Sequence, residues 1–354
     1  MVTENIMVSV LITFYNQEEY VDKALKSVLE QKTEFDIEIL IGDDGSSDNT
    51  INVINKWIEK YPEKIKVYIM ERDGKKYISG FRASKNRLNL LKYVSGKYFI
   101  FLDGDDYFTD SRKLQKQVEL LEDRNNQDCI ACGHDIDMLF PDGSKKVMRN
   151  VGLSEGKVGA SQYWRKYYFH TDTLLVRSEV ISKIDTKLLE NNFNDNLITY
   201  AIIQYGKIYY IPESMAVYLQ TGDGVWTSGK KVLNLIRNMY LYDLANQINP
   251  KMKSATTRRL AESWLELIIN RKFIHSSDLQ PLLKEAEDKK MECSLNWIRY
   301  NEKKCSDKVK WLLYSFIEAR HIIPIKACIK IYHAMGLYAL KEFVVNRKKK
   351  SEGR

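Results

Sequence analysis

Apolar and polar positions alternate in a repeating order along the first hundred residues. A short β-rich apolar run at 8–13 precedes 17–31, where Tyr20, Val21, Ala24, Leu25 and Val28 share one side at helical spacing. A second apolar run at 37–41 is followed by helical spacing over 48–61, with Ile51, Ile54 and Ile58 facing inward. A third run at 66–70, a helix over 82–94 and a fourth run at 98–102 continue the order. Strand–helix–strand repetition at this pitch predicts an α/β fold with parallel strands and crossover helices. Ligands in such sheets sit beyond the carboxyl ends of the strands. Three polar motifs fall there: FYN after the first strand, DDGSSD after the second and DGDD after the fourth.

From residue 110 the pattern loosens. A helix over 111–123, a strand over 128–140, a Pro141-Asp142-Gly143 turn and further strands at 169–177 and 208–218 are predicted. Beyond residue 229 the chain reads as helical and Lys-rich, with Trp264, Trp297 and Trp311 at wide intervals. The expected division is a catalytic α/β domain over 1–228 and a basic α-helical region over 229–354. A chain of 354 residues is long enough for one large domain and an appendage.

Composition changes this picture little: 44% hydrophobic and 29% charged residues exclude wholesale disorder. No stretch approaches the roughly 20 apolar residues of a membrane span. The apolar run near the start lacks a basic lead and passes straight into a polar motif, so a buried strand is expected there rather than a signal peptide. Five cysteines, an odd number, suit a reducing cytoplasm with free thiols. Cys129, Cys132 and His134 have zinc-like spacing, but no second close pair of ligands accompanies them, and CIACGHDIDMLF also reads as a buried strand.

Candidate chemistry concentrates in Asp103-Gly104-Asp105-Asp106. Carboxylates this close raise one another's pKa unless a cation or hydrogen-bond donors compensate. Mg²⁺ or Mn²⁺ takes oxygen ligands and completes its shell with phosphates and water. Gly104 would let backbone approach a ligand closely. A solvated acidic turn, with Asp106 capping the next helix, is the alternative. In DDGSSDNT, an aspartate can accept a hydrogen bond from a nucleobase N–H, while Ser47 or Asp48 caps the following helix. Tyr15, at a strand end, can stack on a base or simply pack.

Taken together, TFYNQEEY, DDGSSDNT and FLDGDD, in this order and spacing, resemble the family 2 glycosyltransferases with the GT-A fold, a Rossmann-like domain with a mixed central sheet. The resemblance runs from about residue 8 to 226. It implies an inverting transferase that moves a sugar from a nucleotide-sugar donor, a UDP-sugar by family habit, onto a hydroxyl of a glycan or lipid-linked glycan in bacterial surface-polysaccharide synthesis. Thr13 and Tyr15 would hold the base, Asp44 its imide edge, and Asn86 the nucleotide side. Arg82 would reach the diphosphate, Asp103 the ribose or the metal's water, and Asp105 the Mn²⁺ or Mg²⁺. Asp195, in Phe193-Asn194-Asp195-Asn196, stands where the family places its base, with Asn194 replacing the usual Glu; capping the next helix is the other reading of Asp195. The resemblance also marks a donor-closing loop through Thr221, without the metal-binding His that some members carry there. Trp226 and His170 would line the acceptor or donor-sugar side, or pack structurally, and Asp106 takes no assigned role.

Charge is uneven: between 306 and 350 ten Lys or Arg face three acids. Lys326, Lys330, His333 and Lys341 lie within about an 80° arc of a helical wheel. That face either docks on an anionic membrane, on the cytoplasmic side of the inner membrane, or packs against the catalytic domain. Basic charge confined to one tail excludes a general nucleic-acid binder. A silent nucleotide-sugar-binding protein, a nucleotidyltransferase and a transferase using a dTDP- or GDP-sugar are the competing readings. FYNQEE lacks the Gly-rich loop of a nucleotidyltransferase.

Overall fold

In the computed structural model, the described residues are 6–74, 81–150, 152–166, 168–190 and 195–221, with scattered positions between 238 and 252. The chain divides into two compact units, Met1–Ser228 and Gly229–Arg354. Trp226, Cys293, Cys305, Cys328 and the basic stretch over 306–350 lie outside the described residues.

The first unit opens with β1 (Val8–Phe14), α1 (Val21–Leu29), β2 (Ile37–Asp43), α2 (Thr50–Lys60), β3 (Ile65–Ile69), α3 (Phe81–Leu91) and β4 (Tyr98–Asp103). It continues with β5 (Tyr107–Phe108), α4 (Lys113–Glu122), β6 (Cys129–Leu139), β7 (Lys145–Met148), β8 (Gly156–Val158) and α5 (Ala160–Lys166). The last elements are β9 (Leu175–Arg177), α6 (Thr186–Leu189), α7 (Asp195–Ile203) and β10 (Lys207–Leu219).

The strands form one mixed sheet in the order β3-β2-β1-β4-β9-β6-β10-β5. Strands β3, β2, β1 and β4 are parallel. Strand β9 is antiparallel to both neighbours, so β6 and β10 run with the parallel set. Val8, Ser9, Val10, Leu11 and Ile12 are all fully buried. Both faces of β1 are therefore covered, as a central parallel strand requires. Strand order reverses at β1, with β2 on one side and β4 on the other, which opens a crevice at their carboxyl ends. Thr13 lies there in register with Gly42 and Asp103.

Two elements are shorter than their apolar spacing predicts. Helix α1 starts at Val21, after a turn in which the Tyr20 amide donates to the Gln17 carbonyl at 2.9 Å and the amides of Gln17 and Glu18 reach Thr50 Oγ1 (2.9 Å) and Asp48 Oδ2 (3.2 Å). The strand expected over 169–177 reduces to β9. Its first half is a tight turn, Thr171–Thr173, closed by Thr173 Oγ1 on the His170 carbonyl at 2.7 Å. The turn at Pro141-Asp142-Gly143 joins β6 to β7, with Gly143 at φ 80°. Strand β6 carries Cys129, Cys132 and His134 as buried core residues. A bulge between Cys129 and Ala131 interrupts the alternation of the strand, and both thiols belong to one hydrophobic core cluster. The ring of His134 meets its neighbour's carbonyl, Nδ1 to Asp135 O at 2.5 Å, and burial pulls its pKa well down. Among the described residues, none of these three belongs to a group able to hold a metal.

Candidate active site

The loops after β1 and β2 interlock. Asn16, at φ 49°, accepts the Ser47 amide on Oδ1 (2.8 Å), and its own amide donates to Ser46 Oγ (2.9 Å). Asp43 accepts Ser46 N at 2.8 Å, and Asp48 Oδ1 accepts Thr50 N at 3.0 Å where α2 begins. These short polar side chains fix backbone that no strand or helix satisfies. Tyr15 is left 42% exposed, with Arg72 Cζ 3.9 Å from its ring centroid.

Asp44 follows β2 and is buried. Arg82 Nε lies 2.6 Å from its Oδ1, Arg72 Nη2 3.1 Å from its Oδ2, and Arg72 Nε donates to its carbonyl at 2.9 Å. Burial raises its pKa above the usual carboxylate range, and the two guanidinium groups offset only part of that. Arg82 Nη2 also donates to the carbonyls of Met70 and Glu71, both at 3.2 Å. Arg82 thus links Asp44 to the chain beyond β3.

Helix α3 braces three parts of the crevice. Arg82 reaches Asp44, Asn86 Nδ2 donates to the Gly42 carbonyl at 2.8 Å, and Arg87 Nη2 pairs with Asp103. Asn86 is 1% exposed, and a Cβ on Gly42 would fall 2.2 Å from its Oδ1. Asn86 therefore seats α3 on β2. Arg87 escaped sequence reading because nothing near it in the chain distinguishes it from a surface arginine. Burial alone would lower its pKa, but Asp103 first, and then Asp195, raise it above its ordinary value.

The turn Asp103-Gly104-Asp105-Asp106 lies against the end of β1. A Cβ on Gly104 would stand 2.3 Å from Phe14 Cδ1 and 2.6 Å from both Gln17 Oε1 and the Thr13 carbonyl. The close approach that this glycine permits is to β1. Burial raises the pKa of Asp103, against the pull of Arg87. Asp105 is partly exposed, and burial, then the charge of Asp103, push its pKa up to about 6. Among the described residues it has no ion-pair partner. Asp106 is 1% exposed and accepts the Leu219 amide on Oδ1 at 2.7 Å, tying the turn to β10. Asp106 Oδ2 and Asp172 Oδ2 are both buried without a donor. Burial, and after it the Asp172 charge, raise the Asp106 pKa well above its ordinary value.

The segment 168–173 and the first turn of α7 close the cluster. Asp195 opens α7, whose residues Leu197 to Ile203 are all buried. Its carboxylate accepts from Tyr168 Oη on Oδ2 and from Thr171 Oγ1 on Oδ1 (3.3 Å). His170 is 4% exposed, with Nδ1 3.3 Å from Asp172 Oδ2 and Nε2 3.9 Å from Asp195 Oδ2. Burial opposes its charge, but Asp172 and Asp195 outweigh it and bring its pKa up to about 10. Burial would also raise Asp172; His170 and the hydrogen bond shared with Asp106 hold it below the usual value. Beneath the cluster, the buried Lys113 donates to Gln117, whose amide holds the carbonyls of Cys132 (2.8 Å) and Thr173 (2.9 Å).

Asp103, Asp106 and His170 each offer an atom within 4.8 Å of one another, a spacing compatible with a metal ion. In this arrangement, however, His170 stands between Asp172 and Asp195, and Asp106 Oδ1 is taken by the Leu219 amide. Asp105 suits a hard cation, since its carboxylate is partly exposed and has no ion-pair partner among the described residues. Of the candidate residues, Asp103, Asp105, Asp106, His170 and Asp195 converge. Thr13, Tyr15, Asp44, Arg82 and Asn86 lie around the ends of β1 and β2. Arg72, Arg87, Tyr168 and Asp172 join these two groups without a sequence signal of their own.

Comparison with known proteins supplies the relationship. Residues 9–185 match the family described as "Glycosyl transferase family 2". The chain is 29% identical over 229 residues to "Uncharacterized protein Rv1520" of Mycobacterium tuberculosis, covering 62% of this chain and 60% of that protein. It is 34% identical over 122 residues to "UDP-Glc:alpha-D-GlcNAc-diphosphoundecaprenol beta-1,3-glucosyltransferase WfgD" of Escherichia coli, covering 34% and 44%. The structure superposes on that of S. aureus TarS 1-349 in complex with UDP-GlcNAc with a TM-score of 0.52 at 17% identity, covering 84% of this chain and 92% of the other. At that identity the likeness shows the shared fold, the GT-A arrangement. The chain spans about 60% of the length of the first curated relatives it matches.

Proposed function

The chain belongs to glycosyl transferase family 2, and we propose that it transfers a sugar, with inversion, from a UDP-sugar to a hydroxyl of a glycan or lipid-linked glycan of a bacterial surface polysaccharide. The observation that carries this reading is the convergence of Asp195 with the Asp103-Gly104-Asp105-Asp106 turn, through His170 and Arg87, beside the crevice at the end of β1. A binder without catalysis has no use for a carboxylate mounted on a buried helix among such partners.

Tyr15 offers a ring for the base, and Asp44 an acceptor for an imide N–H. Asp105, aided by Asp103, would hold Mn²⁺ or Mg²⁺. When bound, such an ion supplies positive charge to the leaving diphosphate. Asp195 takes the proton from the acceptor hydroxyl as its oxygen bonds to the anomeric carbon. The bond from that carbon to the diphosphate oxygen breaks with its electrons, and UDP leaves. Tyr168 and Thr171 occupy two of about four acceptor positions on the Asp195 carboxylate, leaving room for the incoming hydroxyl. Attack opposite the leaving group inverts the configuration.

The test is a panel of UDP-, dTDP- and GDP-sugars with Mn²⁺, read as thermal stabilisation and slow donor hydrolysis. Stabilisation and hydrolysis with a UDP-sugar are expected; no response to any nucleotide sugar overturns the reading. Among the described residues no helix is long and apolar enough to cross a membrane. The excess of positive charge over 306–350 supports docking on anionic lipid, where a lipid-linked acceptor resides. Liposome flotation with and without residues 320–354 checks it, and equal binding of both forms contradicts it.

A further inference from the structure

We propose that His170 is a positioning residue for the reaction: anchored by Asp172 through Nδ1, it holds the carboxylate of Asp195 in place through Nε2. The proposal rests on Asp195 acting as the base. At the acceptor side, the role expected for it, His170 would need an open face and a free ring nitrogen. Its ring is 4% exposed, and both nitrogens face carboxylates.

The ring has little freedom to do anything else. On one side it rests on Tyr218 of β10, the ring centroids 4.7 Å apart. Its anchor is fixed in turn. Asp172 is fully buried, accepts the Asp103 amide on Oδ1 at 3.2 Å and shares a hydrogen bond with Asp106. A displacement of Asp172 would therefore be felt at the end of β4, at His170 and, through it, at Asp195.

Charge supplies the second reason. Asp103, Asp105, Asp106, Asp172 and Asp195 crowd one region, and among the described residues Arg87, His170 and, beneath them, the buried Lys113 are set against these acids. Arg87 is paired with Asp103. The Asp195 carboxylate faces Nε2 of His170. The 3.9 Å separation is that of an ion pair rather than a hydrogen bond, so the ring orients Asp195 without occupying the lone pairs that receive the acceptor's proton. Tyr168, His170 and Thr171 all address Asp195, and Asp172 addresses it through His170. The segment 168–172 is thus a cradle for one carboxylate.

The test is a double-mutant cycle with a donor that the wild-type protein turns over; absence of any wild-type turnover would count against the glycosyl-transfer reading, not this one. Turnover, donor KM and UDP affinity are measured for wild type, His170→Gln, Asp195→Asn and the double variant, with excess enzyme for the slow ones. His170→Gln is expected to lower kcat roughly 10- to 100-fold, with UDP affinity unchanged. In the Asp195→Asn background it should cost nothing more, because the group it positions no longer acts. Wild-type kcat in His170→Gln, or an equal further loss in the Asp195→Asn background, overturns the proposal. Should His170→Gln not fold, Asp172→Asn takes its place. It keeps the ring but weakens its anchor, and it must show a smaller kcat loss that again vanishes in the Asp195→Asn background.

Discussion

Arg82 is locked onto Asp44, its Nε 2.6 Å from Oδ1, and the pair stands at the end of β2 where a nucleobase would meet the sheet. Removing the guanidinium leaves a buried carboxyl whose pKa is already raised with one cation fewer. Arg82→Ala should weaken UDP binding by about tenfold. The deficit should widen as pH falls, because only the ionised carboxylate accepts from an imide N–H and its pKa rises further without Arg82. Calorimetric titration of UDP at two pH values checks this; a pH-independent deficit would show that Arg82 acts on the nucleotide directly.

Asp105 carries a stability signature of its own. Its folded pKa of about 6 lies above the ordinary 3.8, so the folded chain binds this proton more tightly than the unfolded chain. The contribution is unfavourable above pH 6 and fades as pH falls toward 4. Without metal, Asp105→Asn should be more stable than wild type at neutral pH by about 1–2 kcal/mol, the margin closing in acid. Mn²⁺ should stabilise the wild type and not the variant. Urea denaturation across pH, with and without Mn²⁺, decides it; equal stabilisation of both proteins by Mn²⁺ removes Asp105 from the metal site.

Gly104→Ala tests the seating of the acidic turn. The new methyl would meet Phe14, Gln17 and the Thr13 carbonyl, and the last belongs to a central strand and cannot retreat. A loss of about 2–4 kcal/mol is expected, with activity falling in the fraction that folds. A wild-type melting temperature would mean that the turn stands off β1.

Local signals made half of this legible. Runs of apolar residues five to seven long announced β1 to β4, and short polar clusters announced the turns between them. The cap expected at Ser47 or Asp48 falls one residue later, at Asn49, while Asp48 closes the turn before it by accepting the Thr50 amide. What stayed hidden depends on contacts across the chain. Arg87 meets a carboxylate 16 residues away, Asp172 an amide 69 residues away, and Tyr168 a carboxylate 27 residues away. None has a neighbour that betrays it. The strand expected over 169–177 broke at Thr171–Thr173 for the same reason: burial made the stretch look strand-like, while the Thr173 hydroxyl on the His170 carbonyl and the His170 ring, which accepts the Asp172 amide, folded it into a turn.

Asp195 bears the central claim, and its replacement by Asn tests it most directly. The isosteric amide keeps the volume and can still face Tyr168 and Thr171, but it cannot take a proton. Purified Asp195→Asn should bind UDP as the wild type does and transfer sugar at least about a hundredfold more slowly. Near-normal transfer by this variant would contradict the account.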